Sequence, residues 1–150
     1  MTVEHFGSPT IRFVLNDLPR RQLGRVLHRL RATLRRLLAE GRIDEVGLSA
    51  ADAEMSDGIL ALFNRQFVSA SEDARQHVTV TVRLDVGVAL RWLHAVRRLS
   101  RYAADVRFMA ELGAPPVDAD DVVFIEALLE AVSMQTYTDV AGGPSTGAAE

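Results

Sequence analysis

The apolar pattern of this 150-residue chain predicts a mainly α fold: a single-domain bundle of about four helices, with a possible small β-hairpin near residues 64–84. Three observations point that way. Long stretches place apolar residues three and four apart, the period of one helix face. Capping and stop residues bracket those stretches. One segment alternates apolar and polar residues with period two, as a half-buried strand does.

The longest stretch runs from Asp85 to Gly113. Val86, Leu90, Leu93, Val96, Leu99, Ala103, Val106 and Ala110 form its stripe. Asp85 suits an N-cap, and Gly113 suits the left-handed residue that ends a helix. One uninterrupted helix here would span about 40 Å, the width of a small domain.

Taken in order, residues 1–9 read as an irregular arm, followed by the β-branched run Thr10 to Leu15. Asp17 and Pro19 mark a helix start. That helix, near 18–41, carries Leu23, Val26, Leu27, Leu30, Leu34, Leu37 and Leu38 on its apolar side and stops at Gly41. Gly24 lies inside it, at a cost of about 1 kcal/mol against Ala, which a close helix contact would explain. Ser49 caps a helix near 50–65 that brings Met55, Ile59, Leu62 and Phe63 together. After Pro115 and Pro116, Asp118 opens an acid-rich helix near 119–136 with Val122, Ile125, Leu129, Val132 and Met134 along it. Residues 1–138 form one domain on this reading, and 139–150 a small, polar, disordered tail.

Residues 72–84 admit two readings. Val78, Val80, Val82 and Leu84 alternate with Thr79, Thr81 and Arg83, which is a strand pattern needing a partner at Gln66–Ala70 or Ile11–Leu15. The spacing Val78, Val82, Val86 and Leu90 also fits a helix running into the long stretch.

The absence of cysteine excludes disulfides, thiol nucleophiles and cysteine-bound metals, and fits a cytoplasmic protein. No apolar run reaches the length of a membrane span, and the N-terminal residues lack the pattern of a secretory signal. Every basic residue among the 17 is Arg, which points to a GC-rich bacterial genome. No phosphate loop, dinucleotide fingerprint, nucleophile elbow or Glu-x-x-His pair is present, so no catalytic residue, metal ligand or cofactor is assigned. His5, His28, His77 and His94 lie on separate segments. Glu126 and Glu130, four apart, share a helix face and read as a solvated acidic surface.

Charge is unevenly distributed. Residues 1–42 hold nine Arg against three acids, and residues 43–150 hold eight Arg against seventeen acids. Arg20, Arg21, Arg25, Arg29, Arg35 and Arg36 line the polar side of one helix. That face must be neutralised by an acidic helix, in the same chain or another copy, or by phosphate. Trp92, His94 and Tyr102 are candidates to wall a small-ligand pocket between helices. The favoured expectation is a non-enzymatic interaction module, a homo-oligomer or one docking on a protein partner. Nucleic-acid binding through the Arg20–Arg36 face, or a ligand or enzyme site near Trp92, are the alternatives.

Overall fold

A computed structural model describes residues 9–149, with side chains over residues 9–137. The expected N-terminal arm, apart from Pro9, lies outside those residues, as do the side chains of the expected tail. Two strands and five α-helices follow one another: β1 (Thr10–Pro19), α1 (Arg20–Ala39), α2 (Ala50–Ser69), β2 (His77–Asp85), α3 (Val86–Ala103), α4 (Val106–Leu112) and α5 (Ala119–Ala149). A single 3-10 turn, Ile43–Val46, links α1 to α2. The fold is mainly helical, as expected. Among the described residues no helix is long and apolar enough to cross a membrane.

Strand wins over helix at 77–85, and its partner is β1, antiparallel, with Phe13 opposite Val82 and Leu15 opposite Val80. The sheet therefore closes between segments about sixty residues apart, and 66–69 belongs to α2. Ile11, Phe13, Leu15 and Leu18 of β1 and Val78, Val80, Val82 and Leu84 of β2 are buried on one side. Burial of both alternating sets decides the register, because a slip of one residue would turn each set to solvent. The free edge of β1 is closed at Val14. Its N–H donates to Gln135 Oε1 at 2.9 Å, and Gln135 Nε2 donates to its carbonyl at 2.8 Å. One carboxamide on α5 thus stands in for a third strand and blunts the edge.

Asp17 does not cap α1. The register shifts between Leu15 and Leu18, and Asp17 sits in that irregularity with φ 62°. Its carboxylate turns to His77 Nδ1 at 2.8 Å and to Arg75. Pro19 occupies the cap position without a side-chain bond. The other caps stand where the sequence puts them. Ser49, Asp85 and Asp118 accept from Asp52, Val88 and Asp121 N–H respectively. Gly113 follows α4 in the left-handed conformation, φ 80°.

The long helix expected from Asp85 to Gly113 is two helices. Ala104 ends α3, and Asp105 caps α4 by accepting from Phe108 N–H at 2.9 Å. Val117 N–H takes the Ala103 carbonyl at 2.8 Å, so the break is tied to the segment leading into α5. The turn lays Phe108 edge-on against Tyr102, centroids 5.1 Å apart. Val106 is 70 % exposed and Ala110 is exposed, so the stripe read from the sequence does not continue inward past the break. Leu90 is also exposed. Inside the stripe, Leu93, Val96, Leu99 and Ala103 are buried, and Trp92 stacks on Phe63 of α2 at 5.2 Å.

Gly24 meets the close contact its position implies. A Cβ there would lie 3.0 Å from Phe67 Cζ, where α1 and α2 cross. Gly24→Ala is expected to shift stability by less than about 1 kcal/mol, since the gain in helix propensity offsets displacement of the half-buried ring. Gly24→Leu should lose about 1–3 kcal/mol by overpacking. Denaturant melts of the two variants check the pair; equal losses would show that Phe67 does not set the contact.

Candidate interaction surface

The arginine face of α1 is largely closed by the chain itself. Arg25 makes a two-pronged bond to Asp121, Nε to Oδ2 and Nη2 to Oδ1, each 2.8 Å. Gln22 Nε2 donates to the same carboxylate at 3.0 Å. Arg29 donates to the Pro116 carbonyl at 3.0 Å. Arg20 lies over the Phe67 ring at 5.0 Å and 3.5 Å from Glu72. Arg35 stands 3.8 Å from Asp57, which also holds Arg31, and Arg36 bonds Glu40 one turn along at 2.8 Å. Of the six, Arg21 alone has no such partner among the described residues.

Asp121 is the residue that sequence reasoning undervalues. It sits in the first turn of α5, where a dipole role suffices to explain it. Its side chain is only 4 % exposed, against 47 % for Arg25. The Arg25 hydrogen bonds hold its carboxyl below the usual carboxylate range, working against its burial and assisted by Gln22. The acidic helix of the same chain is thus what neutralises the centre of this face.

Trp92, His94 and Tyr102 do not form one site. Trp92 is 1 % exposed and fills the core between α2 and α3. His94 points to the exposed side of α3. Tyr102, half-buried, belongs with Arg98, Arg101 and Asp105 beside the α3–α4 break. Trp92 Nε1 and Ser56 Oγ are the buried side-chain polar atoms without a partner among the described residues.

The surface that stands out is on α5. Ile125, Leu128, Leu129 and Val132 face inward and are buried. A second apolar stripe faces outward. Val123 is 66 % exposed, Met134 60 % and Tyr137 75 %, with Ala127 and Glu130 exposed between them. Positions 123, 127, 130, 134 and 137 alternate steps of four and three, so all lie within about 40° of one line along the helix. That spacing is the seam of paired helices. Glu130, the one charge in the stripe, borders a cleft with Glu126, Leu129, Arg97, Ser100 and Arg101. The acids Asp118, Asp120, Asp121, Glu126 and Glu130 all fall at the start or in the first half of the helix.

No protein-family model matches this chain, and neither curated proteins nor solved structures give a significant match.

Proposed function

We propose that this chain is a non-enzymatic, cytoplasmic interaction module that pairs with a second copy of itself along α5. The outward stripe of Val123, Ala127, Met134 and Tyr137 carries the reading. A two-fold axis at Glu130 sets the copies antiparallel, with Tyr137 of one against Val123 of the other and Met134 against Ala127. Each large side chain then meets a smaller one, which fills space without overlap. The parallel alternative stacks Tyr on Tyr, leaves Ala on Ala, and sets the exposed acids Asp120, Glu126 and Glu130 of one helix alongside those of the other. At the axis the two Glu130 carboxylates sit beside Arg97 and Arg101 of each copy, which offsets their repulsion. Nucleic-acid binding by α1 has weaker support, because Asp121, Asp57, Glu40 and the Pro116 carbonyl already occupy its guanidinium groups.

Mass by light scattering against concentration tests the reading. The wild type should run as a dimer at micromolar concentration. Its mass should hold between about 50 mM and about 500 mM NaCl, because apolar burial rather than exposed ion pairs holds such a seam. Met134→Glu should give a folded monomer, since the residue is exposed within its own chain. Val106→Glu, at an exposed apolar residue off the seam, should leave the dimer intact. A wild-type monomer, or a Met134→Glu dimer, sinks the reading.

A further inference from the structure

The outer face of the sheet carries a like-charge pair. Register sets Arg12 of β1 directly opposite Arg83 of β2, and both are exposed. Val14 turns its N–H and carbonyl away from β2, to Gln135. The Pro9 carbonyl, by contrast, accepts from Val86 N–H at 2.9 Å across the two segments. Alternation along β1 therefore makes Arg12 and Arg83 a non-hydrogen-bonded pair, the closer kind, with Cα atoms about 4.5 Å apart. Like charges placed opposite one another destabilise a sheet. Among the described residues neither guanidinium has an ion-pair partner. The nearest acid by register is Asp85, diagonal to Arg12, whose carboxylate caps α3 through Val88 N–H at 3.1 Å.

We propose that Arg12 and Arg83 form a phosphate-binding pair on the outer face of the sheet, taking the phosphate group of a small ester or of a nucleic-acid backbone. Two guanidinium groups carry two positive charges and two planar forks. A tetrahedral phosphate presents oxygens to both forks, and a phosphate monoester dianion also matches the charge; a lone carboxylate leaves one arginine unmatched. Thr81, one row along the same face, adds a hydroxyl to the surroundings. The pair lies on β1 and β2, not on α1 or α5.

Thermal melting of the full chain in inorganic phosphate, against chloride at equal ionic strength, reads the pair directly. The melting temperature should rise with phosphate and saturate. Arg12→Thr and Arg83→Thr should each melt higher than wild type in chloride, because the repulsion is gone, and each should weaken phosphate binding about tenfold or more by calorimetric titration. Saturation by inorganic phosphate with no added effect of a single-stranded oligonucleotide assigns the small ester. Tighter binding of the oligonucleotide, lost in the same variants, assigns the backbone. A phosphate response no larger than that of chloride overturns the proposal, and so does a response that survives in the double variant. Variants that melt below wild type in chloride overturn the premise that the pair is held under repulsion.

Discussion

Leu93→Asp is expected to abolish the folded state. Leu93 is 2 % exposed on α3, beside Trp92, whose ring stacks on Phe63. A carboxylate placed there loses its water and finds no cation, since its surroundings are the apolar core. The cost is several kcal/mol whether the group stays charged or takes up a proton. A domain of this size has about 5–15 kcal/mol in total, so most or all of it goes. Leu90→Asp is the matched control. It lies three residues earlier on the stripe read from the sequence, but it is 52 % exposed, so its effect should stay within about 0.5 kcal/mol. Far-ultraviolet circular dichroism and urea melts of the pair decide the matter. Similar behaviour of the two variants would mean that α3 is rotated about its axis, with Leu90 turned as far inward as Leu93.

That contrast shows where the sequence is legible. Period alone marks Leu90 and Leu93 as one stripe, because both are Leu at helical spacing. Only the neighbours packed on α3 separate them. The caps read correctly at Ser49, Asp85 and Asp118, because a side-chain oxygen accepting a backbone N–H two or three residues on is a local interaction. The break at Ala104 leaves no mark in the apolar pattern, which continues at helical spacing through it, and Asp105 as a cap competes with Asp105 as an ordinary helix residue. Val78 to Leu84 declares a strand by alternation, yet its partner lies about sixty residues back, a choice that no local signal contains. The α5 surface is the least legible. Its sequence places Val122, Ile125 and Met134 along one helix without saying that two stripes exist, and only the packing of Leu128 and Val132 shows which one its own domain has used. Arg12 and Arg83 escape notice for the same reason, since neither is unusual until the register sets them opposite.

Asp121→Ala is expected to cost about 1–2 kcal/mol near neutral pH, and the gap from wild type should close in acid. The magnitude is kept modest because Arg25 is half exposed, so water recovers part of what its guanidinium loses. The pH dependence follows from the direction of the shift. Arg25 and Gln22 hold the folded-state carboxyl below its unfolded value, so the folded state binds fewer protons there. Stability from this group is therefore fully present above the unfolded pKa, about 4, and drains away as pH falls through the depressed folded value. Glu40, Glu45 and Asp73 are shifted the same way by Arg36, by Arg42 and by the N–H of His77, and they add to acid lability in both proteins alike. The difference between wild type and Asp121→Ala removes that shared part. Urea melts from pH 7 down to about pH 2.5 should show two stability curves that converge below about pH 4. Parallel curves would mean that Asp121 acts through packing alone. A gap near zero at pH 7 would mean that the bond to Arg25 holds no net stability. The centre of the α1 face would then be free to exchange its acidic partner for another anion, and the order of the two functional readings would have to be reconsidered.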